Sequence, residues 1–180
     1  MFLSQAHQQT LSPPSLARAI VVSNQDPDQL GRVQVRYPWA DPKSQNSSSQ
    51  WARVLSPFAS NHSGWVSLPH PNDEVFVYFE NGNLDLPIIL GTLYSKKNPP
   101  PNFQNSKDHP GKNCILKTSG GHTLFIDDTS ETQGIVLQTG SGKSITLSDG
   151  KKEIRIEDEN QNKIQVQQKA ETSSITGQKL

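Results

Sequence analysis

Leu124-Phe125-Ile126, Ile135-Val136-Leu137, Ile145-Thr146-Leu147, Ile154-Arg155-Ile156 and Ile164-Gln165-Val166 are copies of one short unit, apolar-x-apolar, and Ile175 opens another. Successive copies begin 9 to 11 residues apart, and the intervals are filled by Gly, Asp, Asn, Ser and Lys, the residues of turns. Self-similarity at a fixed period marks a stacked β architecture. Alternate positions of a strand face opposite sides, so most copies offer a core one pair of side chains. Ordering costs about 1–2 kcal/mol per backbone residue, and at about 25 cal/mol per Å² two aliphatic side chains return only a few kcal/mol per copy. A solitary copy therefore cannot hold its shape. Either the region is disordered or other chains complete its interior, and the strict alternation favours the second. The expected product is an intertwined needle, a trimeric β-helix or β-prism, in which three chains wind around one axis and each gives one strand per turn. Its core is Leu124, Ile126, Ile135, Leu137, Ile145, Leu147, Ile154, Ile156, Ile164, Val166 and Ile175, with Lys, Glu, Asp and Gln outside.

Upstream of the repeats the composition changes. All 13 prolines lie at or before Pro110, and every aromatic but Phe125 lies at or before Phe103. Pro99-Pro100-Pro101 opens an extended connector. The chain therefore divides into a tail (1–17), a compact domain (18–97), a Pro-rich connector (98–111) and the repeats (112–180). The compact domain reads as all-β. Ala19-Ile20-Val21-Val22 precedes the turn cluster Asn24-Gln25-Asp26-Pro27-Asp28. Further runs are Gly31-Arg32-Val33-Gln34-Val35-Arg36-Tyr37, Trp51-Ala52-Arg53-Val54-Leu55 and Gly64-Trp65-Val66-Ser67-Leu68. Glu74-Val75-Phe76-Val77-Tyr78-Phe79-Glu80 then meets the tight-turn pair Asn81-Gly82, and Pro87-Ile88-Ile89-Leu90-Gly91-Thr92-Leu93-Tyr94 closes the set. Five or six short strands at regular spacing make a small barrel or sandwich. The Ser/Gln/Asn-rich run 43–50 reads as a long polar loop.

Composition excludes several function classes. In 180 residues, 17 Lys+Arg balance 17 Asp+Glu, so the chain lacks the cationic excess of a general polyanion binder. No nucleic-acid partner is expected. One cysteine, Cys114, excludes an intrachain disulfide framework and a Cys-rich zinc site. No apolar run approaches the roughly 18 residues of a membrane span. Met1-Phe2-Leu3-Ser4-Gln5 opens without a basic segment or a sustained apolar stretch, so no signal peptide is read and synthesis in the cytoplasm is expected.

Chemistry-bearing motifs are weak. Thr139-Gly140-Ser141-Gly142-Lys143-Ser144 imitates the end of a phosphate loop, but the first required glycine is Leu137 and a strand pattern follows. Asp158-Glu159-Asn160-Gln161-Asn162 imitates a calcium loop whose sharp-turn glycine is Lys163 and whose bidentate Glu is Lys169. Both read as turns between strands, as does Asp127-Asp128. His7, His62, His70, His109 and His122 are scattered, with no metal-ligand spacing. No nucleophile elbow is present, and nothing local activates Cys114. Neither a catalytic site, a cofactor nor a metal is expected. Tyr37, Trp39, Trp51, Trp65, Tyr78 and Tyr94 could stack on bases or sugars, but in an uncharged domain they read as core or interface residues.

Leu30-Gly31-Arg32-Val33-Gln34-Val35-Arg36-Tyr37-Pro38-Trp39, Trp51-Ala52-Arg53-Val54, Gly64-Trp65, Asn72-Asp73-Glu74-Val75-Phe76-Val77-Tyr78-Phe79-Glu80-Asn81-Gly82 and Leu86-Pro87-Ile88-Ile89-Leu90-Gly91-Thr92-Leu93-Tyr94, in that order, resemble one family. It is the OB-fold domain of VgrG proteins of type VI secretion, of phage baseplate assembly protein V and of related injection-particle spikes. Residues 120–176 resemble the family's trimeric needle by pattern rather than by identity. The resemblance implies a non-enzymatic homotrimeric spike that breaches an envelope mechanically, its barrels forming a collar bound to a hub protein and inner tube. The hub portion that precedes this domain in VgrG proteins is not in this sequence, which implies a separate hub. No effector domain and no iron-binding His-x-His tip follow. A PAAR-type tip protein at the needle end is implied, or a chain that runs on beyond Leu180, and effector cargo is a further implied partner. Such a protein is made in the cytoplasm, assembled into a phage tail-like particle and delivered to the target envelope. Two other classes fit parts of the sequence: a monomeric OB barrel for oligonucleotide or glycan with a disordered tail, and an envelope-degrading enzyme.

Overall fold

A computed structural model describes residues 15–41, 48–101, 112–168 and 173–177, with no side chains described from 168 on. Residues 1–14 of the tail, most of the polar loop, most of the connector, His7, His109 and the Ile175 side chain lie outside the described residues. The chain divides into two compact units, Met1–Pro100 and Pro101–Leu180, each taken by itself below.

The first unit holds β1 (Leu16–Ser23), β2 (Gln34–Arg36), β3 (Arg53–Val54), β4 (Ala59–Ser60), β5 (Ser63–Gly64), β6 (Glu74–Phe79) and β7 (Pro87–Leu93). Five strands pair in the order β2-β1-β6-β7-β3, with only β3 and β7 parallel. The Val33 N–H donates to the Ala52 carbonyl (2.9 Å), and the Ala52 N–H returns the bond (2.7 Å). That bridge joins the two ends of the strand order and closes the ring. Alternation fills it: Ala17, Ala19 and Val21, Val33 and Val35, Ala52, Val75, Val77 and Phe79, and Ile89 are each at most 7% exposed. Asn81 and Gly82 both take positive φ (53° and 74°), as the central pair of a mirror-image turn requires. The loop then continues through a second turn in which the Leu86 N–H donates to the Asn83 carbonyl (3.0 Å).

The run 64–68, expected as a strand, is one only at its first residue. Ser63–Gly64 pairs with Ala59–Ser60 in a small hairpin, and the Trp65 N–H donates to the Phe58 carbonyl (3.1 Å). The reason is topological: a five-strand ring closed by Val33 and Ala52 has no free edge to receive another strand.

Asp26 organises the β1–β2 turn. Its carboxylate accepts from the backbone N–H of Asp28 (3.1 Å), Leu30 (3.0 Å) and Arg32 (3.2 Å), and from the Arg32 guanidinium through Nε (2.9 Å) and Nη2 (2.7 Å). The guanidinium also meets Asp28 and lies over the Trp51 ring, 5.9 Å from its centroid. These donors, the Arg32 guanidinium first, hold the Asp26 carboxyl well below the usual carboxylate range.

The second unit is a single antiparallel meander of β8 (Asn113–Lys117), β9 (Thr123–Asp127), β10 (Gly134–Gln138), β11 (Ser144–Ser148), β12 (Glu153–Glu157), β13 (Lys163–Gln168) and β14 (Ser173–Gly177), each paired with the next. One strand per turn from each of three chains is the expected winding. Within this chain, however, consecutive repeats hydrogen-bond to one another. Turns of only a few residues bring each repeat back beside its predecessor at little loop-closure cost, so the backbone ladder is completed locally.

Turns along one flank share a five-residue design. Position one is Thr118, Thr139 or Asp158, and its side-chain oxygen accepts from the N–H of His122 (3.2 Å), Lys143 (3.1 Å) or Asn162 (2.8 Å). Position four is Gly121, Gly142 or Gln161, each at positive φ. The turns stack: the Gly140 N–H donates to His122 Nδ1 (3.3 Å), and Lys143 pairs with Glu159 (2.8 Å). The stacking leaves no room for a β-carbon, since one at Gly140 would collide with the Gly120 carbonyl oxygen, and one at Gly150 on the opposite flank with that of Glu131.

Two outcomes follow from this architecture. Gly140→Ala and Gly150→Ala each destabilise the repeat unit by about 1–3 kcal/mol, as overpacking does. Gly91→Ala, with nothing within 4 Å of the added carbon, is near neutral. Denaturant titration followed by circular dichroism checks both. Asp26, whose folded pKa lies below its unfolded value, stabilises the barrel above about pH 4, and that contribution is lost as pH falls through the carboxylate range. Asp26→Asn therefore flattens the acid limb of a melt read by fluorescence of Trp39, Trp51 and Trp65, all in the first unit.

Candidate functional site

Strand pairing sorts the repeat side chains into faces. Directly paired residues share a face, as do alternate residues along a strand. Ile126, Ile135, Leu147, Ile154 and Val166 form one row, which backbone register continues to Ile175. Leu124, Leu137, Ile145, Ile156 and Ile164 form a second row on the same face. Apart from Ile175, whose side chain lies outside the described residues, the expected needle-core residues thus stand together on one side of the sheet. β8 adds Cys114 to the first row and Leu116 to the second. Sequence reading missed both, although Cys114-x-Leu116 repeats the apolar-x-apolar spacing ahead of Leu124.

That face is uncovered. Ile154, Ile156 and Ile164 are 49%, 47% and 54% exposed, and Ile135, Leu137, Ile145, Leu147 and Val166 are exposed with them. Contiguous exposed aliphatic surface of this kind marks an interaction site. A trough of about 840 Å³ follows the Leu124–Ile164 row, and one of about 780 Å³ follows the Ile135–Val166 row. On the reverse face the central column runs Ile115, Phe125, Val136, Thr146, Arg155, Gln165, apolar at the β8 end and polar towards β13. Gln165 there donates to the Glu153 carboxylate (2.6 Å).

The motifs that imitate ligand sites are turns. Around Gly142 the backbone donors are consumed internally: the Gly142 N–H goes to the Thr139 carbonyl (3.0 Å) and the Thr139 N–H to that of Lys143 (2.8 Å). A phosphate would find no cradle. The Asp158 carboxylate accepts from Asn162 Nδ2 (2.9 Å), the Asn162 N–H (2.8 Å) and the Asn160 N–H (2.9 Å), which lower its pKa. Asp127 likewise accepts from the Thr129 N–H (2.9 Å) and the Thr132 hydroxyl (2.5 Å). Among the described residues, no three His, Cys, Asp or Glu side chains converge as a metal site. No described helix is long and apolar enough to cross a membrane.

In the barrel, Tyr37 packs on Phe79 (5.4 Å between centroids) and stacks on Trp39 (4.9 Å). Burial pushes the Tyr37 phenol up to about 12. Trp39, Trp65 and Tyr94 face outward, so the aromatics divide between core and surface. Exposed Leu30, Leu55, Phe58 and Trp65 ring a concavity of about 630 Å³ beside the β4–β5 hairpin.

Comparison with known proteins places both units. Residues 17–94 match the family described as the type VI secretion system/phage-baseplate injector OB domain. Residues 113–176 match the phage baseplate V C-terminal trimerisation domain. The type VI secretion system spike protein VgrG3 of Vibrio cholerae is 35% identical over 116 residues, covering 61% of this chain and 11% of the relative. The actin cross-linking toxin VgrG1 of Vibrio cholerae is 40% identical over 116 residues, 61% of this chain and 10% of its own length. The spike protein VgrG2a of Pseudomonas aeruginosa is 32% identical over 122 residues, 65% of this chain and 14% of the relative. The chain thus spans about a tenth of the length of these curated relatives.

Proposed function

The chain belongs to the VgrG/phage baseplate V family of OB-fold spike proteins, and on that footing we propose that it is the homotrimeric central spike of a contractile injection machine. The observation that carries the proposal is the aliphatic face of the repeat sheet. Its backbone is hydrogen-bonded strand to strand, yet its two apolar rows are left open to water within the residues that match a trimerisation domain. Three copies that turn these rows inward bury them against one another, at about 25 cal/mol for each Å² removed from water. Leu124, Ile126, Ile135, Leu137, Ile145, Leu147, Ile154, Ile156, Ile164, Val166 and Ile175 then form the interior.

The mechanism is mechanical. Axial force passes along stacked strands and interlocked turns, and the tip breaches the target envelope without bond-breaking chemistry. The domain limits at 17/18, 97/98 and 111/112 follow that division of labour. Residues 18–97 sit as a collar on a hub protein and inner tube, 98–111 connect, and the repeats lead to a PAAR-type tip protein with any effector cargo. The chain is made in the cytoplasm and acts at the envelope of the target cell. The cross-linking chemistry in the name of one relative belongs to that protein; the role proposed here is structural.

Native mass spectrometry of the whole chain decides the reading: a trimer supports it, and a monomer whose C-terminal third is readily proteolysed overturns it. Ile154→Asp with Ile156→Asp places two carboxylates per copy in the buried rows and yields monomer. Thr146→Asp, on the reverse face, leaves the trimer intact. Size-exclusion chromatography with light scattering reads both variants.

A further inference from the structure

Outside the closed ring of the barrel, the β4–β5 hairpin is a two-stranded sheet of its own, so the ring takes neither of its edges. Ala59 pairs with Gly64 and Ser60 with Ser63, and the Trp65 N–H donates to the Phe58 carbonyl (3.1 Å). Hydrogen-bonded and non-hydrogen-bonded pairs alternate in an antiparallel ladder, so beside the bonded Phe58–Trp65 pair the N–H and C=O of Ala59 and Gly64 turn outward. Among the described residues, none of these four groups takes a backbone hydrogen bond from outside the hairpin. The Ser56 hydroxyl oxygen lies 2.8 Å from the Phe58 carbonyl oxygen and 2.6 Å from that of Trp65, which holds the base of the hairpin.

The hairpin forms one wall of the concavity of about 630 Å³. Around it Leu30, Leu55, Phe58, Trp65 and Val66 are 70%, 61%, 57%, 50% and 83% exposed. None of the sixteen residues that line it is Lys, Arg, Asp or Glu, although those types make up 19% of the chain, and His62 is its one titratable side chain. Aromatic and aliphatic anchors without charge are the composition of the core of a protein–protein interface. A nucleic acid, an anionic headgroup or a charged peptide finds no counter-charge in such a lining. The residues that match a trimerisation domain, 113–176, lie in the other unit, so the family match assigns this patch to no contact between copies. We infer that an extended, uncharged segment of a different protein adds a strand to an edge of the β4–β5 hairpin and lays its apolar side chains in the concavity. Main-chain hydrogen bonds along the edge supply affinity, and the concavity takes every second side chain of the incoming strand. The occupant is uncharged because a charge buried against this lining stays unpaired. The inference goes beyond the trimeric reading and does not depend on it.

Selection of a random heptapeptide library on the immobilised whole chain tests it, followed by titration of end-blocked synthetic copies of the recovered sequences by fluorescence anisotropy. The expected sequences alternate apolar and uncharged polar residues. Leu55→Ser with Val66→Ser, both at exposed positions, weakens their binding by about tenfold or more, as loss of central anchors does. Tyr94→Ser, exposed but outside the concavity, leaves it unchanged. N-methylation of alternate peptide amides abolishes binding in one phase and spares it in the other, since only one edge of an added strand faces the hairpin. Charged sequences, no recovered sequence, equal binding by the double variant or indifference to N-methylation in both phases overturns the inference. Binding that appears only after deletion of residues 1–14 makes this chain's own tail the occupant and overturns it as well. So does a native mass that falls in the double variant, which makes the occupant a second copy. A monomeric native mass of the unaltered chain removes the trimeric reading and leaves the docking site standing.

Discussion

Backbone satisfaction without side-chain burial is the condition on which the rest of this molecule depends. From β8 to β14 every strand lends its hydrogen bonds to the next within one chain, so the sheet needs no partner to complete its ladder. What it lacks is a second layer. Sheets are stable when one face is covered, and here the face built from Leu124 through Val166 is open. In the trimer proposed above, association is therefore a matter of apolar burial rather than of backbone pairing.

The two units solve the same problem in different ways. The barrel closes on itself: the bridge between Val33 and Ala52 joins the ends of the strand order, and nine small or branched side chains together with Phe79 fill the interior. The repeat sheet cannot do so. Its units are five or six residues long and joined by turns too short for a crossover, so it propagates in one direction. Stacked turns then stiffen its flanks, where Gly140 and Gly150 permit backbone-to-backbone approach and Lys143 reaches the turn of Glu159.

The shared face of the repeat side chains was legible in advance. Leu124, Ile126 and the aliphatic pairs that follow were identifiable because alternation is a local property of a strand. The same rule located the barrel strands whose interiors hold Val33, Val35, Val75 and Val77. Cys114 and Leu116 escaped because their unit sits next to the Pro-rich segment and outside the most regular part of the repeat. The run at Trp65 misled, since its apolar alternation is that of a strand while the position lacks an open edge to pair with. The phosphate-loop and calcium-loop imitations were correctly read as turns, and the geometry supplies the reason: Thr139 and Asp158 spend their donors and acceptors on their own loops.

Period and composition alone determined that both units are built of β-strands and which side chains of a strand share a face. Those conclusions need only the geometry of residues close in sequence. Only the tertiary structure decided which strand lies beside which, that the barrel closes with five strands, and that consecutive repeats pair within one chain and leave one aliphatic face of the sheet open. Pairing is a competition among edges that are distant along the chain, settled by loop closure and by which hydrogen-bonding groups remain free, and no pattern in the residues themselves records that outcome.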